Sequence, residues 1–474
     1  MLRPSSPLTL PLPPPLLLLL AAACCLSSQH HRVDAFAVSL VVPPSAAAAD
    51  LPANQAQRVH VPSSSHLTTG IRSYVRDLLV PPAYAADTMN TAPAAAEVQP
   101  PTAEEVSLLR SALAAFYGQP RDSPRALELL ARAVDSPGWR RQNPDERAAL
   151  YRVRGDVDMD LRRPEEAVVD YGTTIGLLEG PGGERADEGE LPAARLGRAR
   201  AMRGAILSGT QSLTKEEWSG VAQDYQVALR LTSRDDYLET DVEREQDGAA
   251  RNPYAAWEWG QALRGAGRYG RAAEVHALAA LSFRDIGDRA RGVIAELDAG
   301  IDLAAAAAAP AAAGAAAAAG DDAATSTNYY KDARELLEKA IPKTTGITTG
   351  TTDVELLQRV IAKEGEARIA LAATLLWNDG NGDKASAERQ LGEACVRFDQ
   401  LEADNADREA ARMKKGLMPP LKYNRVLFSI DDIAGAAAGG KVSCARFRDD
   451  EFLTRTVEWP EALRARVQKL NKLG

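Results

Sequence analysis

Histidine is scarce in this chain. His30, His31, His60 and His66 fall in the first 66 residues, and only His276 lies beyond them. A general base needs a partner whose proton it can take, and a zinc site needs three or four converging ligands. One histidine with Cys395 and Cys444, the two cysteines past residue 25, is too small a set for a Cys/His zinc cluster. Two glycine patterns could cradle phosphate. Gly265-Ala266-Gly267-Arg268-Tyr269-Gly270 satisfies G-x-G-x-x-G, but a dinucleotide fingerprint must follow a strand, and this one follows the helical pattern AAWEWGQALR. Gly435 to Lys441 matches G-x-x-x-x-G-K, yet Val442 stands where a Mg²⁺-binding hydroxyl is required. Carboxylate pairs such as Asp235-Asp236 and Asp431-Asp432 read as solvated acidic faces or loops. The expectation is a protein without catalytic residues, cofactor or metal.

The elements that position these residues read as helices. Aromatic content of 5%, Ala-rich periodic segments and an almost complete lack of alternating Val/Ile/Thr runs predict an all-α fold. The formal net charge is −9, and the first 85 residues hold five Arg against three Asp, so the remainder stands near −11. Such a body repels phosphate backbones, which argues against nucleic acid as a partner. The stretch from Asn252 to Phe283 reads as two antiparallel helices. Gly260 allows close approach, Gly267 and Tyr269 mark the turn, and Ala272 (12 positions after Gly260) and Ala279 (7 further) let the second helix pack back. This unit resembles the tetratricopeptide repeat (TPR). The resemblance implies a right-handed α-solenoid with a C-terminal capping segment, a fold that grows by adding repeats, so that 474 residues need not split into several cores. His276 falls at a second-helix position that usually carries a bulky packing residue, which implies a structural role.

Weaker copies flank the unit. Thr102 is an N-cap candidate with Glu104 and Glu105 in the first turn, and Ala114, Ala126 and Ala133 repeat the 12 and 7 spacings. Gly155, Ala167 and Thr174 repeat them again, with Tyr171 as the large packing residue. In the next copy 24 positions separate Gly197 from Val221, and a loop over 208–217 absorbs the difference. TPR-like repeats are thus expected over 102–303, an Ala-rich low-complexity insertion over 304–328, further helices over 329–403 with Ala333, Ala340, Ala387 and Ala394 in packing positions, and a loop and cap over 404–474.

The chain begins with an address. Arg3 precedes an apolar core from Leu16 to Leu26, too short to span a bilayer comfortably, which fits a signal peptide over 1–35. The junction Val33-Asp34-Ala35-Phe36-Ala37 resembles the phenylalanine-bearing cleavage site of bipartite plastid presequences in algae with secondary red plastids, although Asp34 departs from the commonest form. An ordinary secretory signal, and hence a secreted protein, is the alternative. Residues 36–85 are rich in Ala, Ser and Pro, carry Arg58, Arg72 and Arg76, and read as a transit peptide. Ala83-Tyr84-Ala85 ends in an A-x-A pattern that suggests export to the thylakoid lumen, but the preceding apolar stretch is shorter than a usual signal core, so the lumen leads the stroma only slightly. Residues 86–101 read as a disordered leader. No transmembrane span is expected in the mature chain.

In the TPR family the first helix of each repeat lines a binding groove. Offsets of three before, one after and four after each glycine share a helix face. They select Arg152, Asp156 and Met159, then Ala194, Arg198 and Ala201, then Trp257, Gln261 and Arg264. A line of Arg152, Arg198 and Arg264 with Trp257 as apolar anchor implies an acidic protein or peptide partner. The alternative pairs each Arg with neighbouring acids. Cys395 and Cys444 either form a disulfide, which a lumenal location would permit, or stay unpaired. The resemblance implies a non-enzymatic scaffold for protein–protein interaction in the plastid, assembling or maintaining photosynthetic complexes at the thylakoid. The competing reading is an enzyme or regulator acting through the C-terminal non-repeat segment.

Overall fold

The computed structural model describes residues 101–179, 189–207, 214–233, 237–238, 240–309, 322–348, 353–376, 383–414, 444–455 and 457–470. The expected signal peptide, transit peptide and leader up to residue 100, the centre of the Ala-rich tract (310–321) and the glycine loop 435–441 lie outside the described residues. The described chain is helical, with no strand among the described residues, and it divides into two units, Met1–Leu161 and Arg162–Gly474.

In the first unit α1 (Ala103–Tyr117) packs on α2 (Ser123–Asp135), the single turn α3 (Pro137–Arg140) follows, and α4 (Pro144–Asp160) returns to α2. Thr102 is the N-cap of α1: its hydroxyl accepts from the Glu105 amide at 3.2 Å, while Glu105 accepts from the Thr102 amide at 2.7 Å. The other Glu105 oxygen accepts from the Gly138 amide at 2.8 Å, so one carboxylate ties the start of α1 to α3. Leu109, Phe116, Leu130, Trp139, Leu150 and Val153 form the core. Ala126 and Ala133 are fully buried as expected, whereas Ala114 is exposed and Ala112 is buried in its place. Leu109, Ala112 and Phe116 share a stripe at helical spacing, and a residue two positions from Ala112 points to the other side.

The second unit comprises α5 (Pro164–Glu179), α6 (Glu190–Leu207), α7 (Lys215–Thr232), α8 (Asp241–Arg251), α9 (Pro253–Gly265), α10 (Tyr269–Asp285), α11 (Arg289–Ala308), α12 (Asp322–Ala340), α13 (Lys343–Thr348), α14 (Val354–Leu375) and α15 (Lys384–Lys414). A 3₁₀ turn (Cys444–Arg448), α16 (Asp450–Arg455) and α17 (Glu461–Val467) complete it. Successive helices pack as neighbours: α5 on α6, α6 on α7, α9 on α10, α10 on α11, α11 on α12, and α14 on α15. The α9–α10 turn is a Schellman closure. Gly267 adopts φ +75°, the Arg268 amide donates to the Leu263 carbonyl at 2.8 Å, and the Gly267 amide donates to Arg264 at 2.8 Å. The G-x-G-x-x-G stretch is therefore the turn of a helix pair, without the strand that a dinucleotide site requires.

A packing rule recurs in the second unit. A Cβ placed on Gly260 would lie 2.5 Å from the His276 ring, one on Gly300 2.6 Å from Leu337, and one on Gly365 2.5 Å from Phe398. Each first helix thus carries a notch filled by a large side chain from the second. Gly197 is a related notch, filled by Tyr171 at 2.5 Å. Some boundaries differ from expectation. The Ala-rich tract supplies the last turn of α11 up to Ala308, α12 starts at Asp322, and α15 runs on to Lys414. Helix α8 has no counterpart in the repeat pattern. Its N-cap Thr240 forms a capping box with Glu243, a signal legible at T-x-x-E spacing.

Candidate functional site

Asn252 accepts from the Ala255 amide at 3.1 Å and Pro253 opens α9, which brings Trp257, Gln261 and Arg264 onto one side of that helix. All three are buried. The Trp257 indole donates to Asp298 Oδ2 at 2.8 Å. Arg264 donates through Nη2 to Asp298 Oδ1 at 2.9 Å and through Nε to Asp302 Oδ1 at 2.5 Å. Asp298 and Asp302, one turn apart on α11, are fully buried.

From α10, His276 Nδ1 meets Asp302 Oδ2 at 2.5 Å and Nε2 meets the Trp257 carbonyl at 3.1 Å. Both ring nitrogens thus end on an oxygen of the chain, one on the α11 carboxyl and one on the α9 backbone. From α14, Lys363 donates to Asp298 Oδ1 at 2.9 Å and to Glu366 Oε2 at 2.6 Å. Three basic side chains thus face three carboxyls in a sealed interior. Burial alone would push the Asp298 carboxyl up, but Lys363, Arg264 and His276 outweigh it and hold the group well below the usual carboxylate range. Burial pushes Glu366 up, and Lys363 and Arg264 only partly offset that. Arg264 moves well above its ordinary value because Asp302 and Asp298 overcome the desolvation of its guanidinium. The cluster ties α9, α10, α11 and α14 together. With Asp298, Asp302, His276 and Glu366 at 0% exposure, it offers no face for a substrate to reach.

A second network lies on α6. Arg198 grips Asp224 of α7 with two bonds of 2.7 Å, and Arg195 donates to the same carboxylate at 2.8 Å. Arg200 donates to Glu258 at 2.9 Å, and Arg203 donates to Gln261, both on α9. Ala194 and Ala201 are buried beside them. In the first unit Arg152 donates to Asp156 at 2.6 Å, and Met159 is half-buried. Arg152, Arg198 and Arg264 therefore each hold a carboxylate of their own chain, which is the pairing alternative and not a row of open cations. Sequence reasoning placed these residues but missed Asp298, Asp302, Lys363 and Glu366. The signal was present as acids and a lysine inside the apolar runs of α11 and α14, where an unpaired charge could not be buried.

Cys395 of α15 and Cys444 of the 3₁₀ turn form a disulfide, with Cα atoms 5.0 Å apart and 49 residues of sequence separation. Phe447 stacks on Phe398 of α15 at 5.4 Å, and Phe452 and Trp459 lie 5.5 and 5.9 Å from it. Beyond α16 the chain reverses at Glu458, whose φ of 58° is left-handed, and the Glu458 carbonyl accepts from the Tyr269 hydroxyl of α10 at 3.1 Å. Helix α17 then packs on α11 and α14. Among the described residues no helix is long and apolar enough to cross a membrane, and no group of three metal ligands converges. No protein-family model matches this chain, and no curated protein does.

Proposed function

We propose that this chain is a non-enzymatic scaffold whose helix pairs stack as a right-handed, TPR-like α-solenoid and hold a protein or peptide partner. The observation that carries the reading is the recurring notch of Gly260, Gly300 and Gly365, each filled from the next helix by His276, Leu337 and Phe398. One packing solution used three times in succession is what a repeat array requires, because each pair buries its face only against its neighbours. The only histidine past residue 66 is consumed in that packing, which supports a role in binding over catalysis. The expected preference for an acidic partner loses support, since Arg198 and Arg264 are already engaged. The N-terminal pattern supports a plastid address. The Cys395–Cys444 disulfide favours an oxidising compartment, the thylakoid lumen before the stroma, and suits association with thylakoid complexes there.

The test is affinity purification of the tagged full-length chain from plastid membranes, with mass spectrometry of the eluate and scattering of the purified protein. A stoichiometric partner and an elongated envelope are expected. A compact envelope, or turnover of a small molecule by the pure chain, overturns the scaffold reading.

A further inference from the structure

The inner helices α11 and α14 are covered by the chain's own end. Helix α11 is buried almost all the way round, from Gly292 to Asp302 without a break. It already has α10, α12 and α14 as neighbours, and α17 packs on it as well. The covering segment presents an apolar stripe of Trp459, Leu463, Val467 and Leu470, spaced for one face of a helix and no more than 3% exposed. It is pinned at its start by Cys444, bonded to Cys395, and Phe447 joins that pin to Trp459 through one aromatic cluster. The staple and the stripe therefore belong to one packed body.

We propose that residues 444–455 and 457–470 are a stapled lid. With the disulfide closed the segment occupies the face made by α11 and α14. Reduction lets it leave and opens that face to an amphipathic helix of the same pattern from a protein partner. The proposal rests on the scaffold reading for its purpose, while the opening step stands on the disulfide and the α17 contacts. The reductant is a dithiol. Its thiolate attacks Sγ of Cys395, which is half-buried where Cys444 is buried, and the S–S bond breaks with Cys444 leaving as thiolate. The second thiol then displaces Cys395, so two electrons and two protons pass to the protein and the dithiol becomes a disulfide. Losing a cross-link across 49 residues shifts the open–closed balance of the segment by up to about 1,000-fold on the chain-entropy relation.

Hydrogen exchange on the full-length protein, oxidised and reduced, tests the opening, with Cys444→Ser as a variant that cannot form the bond. Amides of 444–470 should exchange at least about tenfold faster in the reduced protein and in the variant, with α9 and α10 unchanged. Unchanged rates in 444–470 overturn the lid, and so does acceleration shared equally by α9 and α10, which would make the disulfide a general brace. A labelled peptide of residues 457–470 tests the exposed face. It should bind Cys444→Ser carrying Trp459→Ala and Leu463→Ala but not the oxidised wild type, and failure to bind the variant overturns the docking half. Neither result depends on the partner, so a failed purification from membranes sinks the scaffold reading separately.

Discussion

Asp298 is the residue on which the interior of the second unit turns, because its carboxylate accepts from Trp257, Arg264 and Lys363 at once. Removing it takes the shared carboxylate from Arg264 and Lys363 and leaves each with one buried partner, Asp302 and Glu366. Asp298→Ala should therefore cost about 3–5 kcal/mol, the range for breaking a buried ion cluster from one side, read as a lower urea midpoint. A loss below about 1 kcal/mol would mean that water reaches the cluster. In the first unit Glu105 is the residue to titrate. Two backbone amides, of Thr102 and Gly138, favour its charged form and bring its pKa from 4.5 to about 2. A depressed carboxylate contributes stability that is complete above pH 4.5 and is lost as pH falls through about 2. The carboxyl resonance of Glu105 should show its midpoint near 2, and a midpoint near 4.5 would show that the bond to Gly138 does not form.

At the scale of elements, the notch at Gly260 makes a paired prediction. Gly260→Ala drives a methyl into a ring held at both nitrogens, so the ring cannot step aside, and a loss of about 1–3 kcal/mol is expected. Gly220→Ala, on an open face of α7 with nothing within 4 Å, should instead stabilise by about 0.5–1 kcal/mol through helix propensity. Thermal melts of the two variants should move in opposite directions, and parallel shifts would refute the notch. The helix pair α9–α10 was legible because glycine, small residues and the turn fall at fixed spacing. The partner of Gly260 was not, because Ala272 and His276 lie on the same face of α10 one turn apart and composition does not say which one reaches across. Ala114 failed for a related reason: spacing counted along the chain ignores how far one helix slides against the next. The address of each Arg was legible, and so was the acid of Arg152, Asp156 one turn on; the acid of Arg264 was not, since Asp298 is 34 residues away and only folding brings them together.

For the whole chain, the proposed plastid address makes its own prediction. A fluorescent fusion of residues 1–75 should reach the plastid, and Phe36→Ala should stop it short of import, because Phe36 is the feature that separates this leader from an ordinary signal. Import undiminished by that change would return the chain to the secretory reading. The remainder carries a formal net charge near −11 after the first 85 residues. All-α character was legible from composition, whereas the division at Leu161 was not, because α4 and α5 continue the same repeat pattern on either side of it.

The bond between Cys395 and Cys444 also changes what a cut in the chain means. Residues 395 to 444 form a covalent ring, with α16 and α17 hanging from it and the rest of the second unit leading into it. A protease that opens the backbone anywhere inside this ring converts one polypeptide into two, yet the pieces remain one molecule. The nicked protein keeps its mass except for one added water and separates only after the sulfurs are parted. The last helix therefore stays with its body for as long as the surroundings stay oxidising, whatever happens to the peptide bonds between residues 395 and 444.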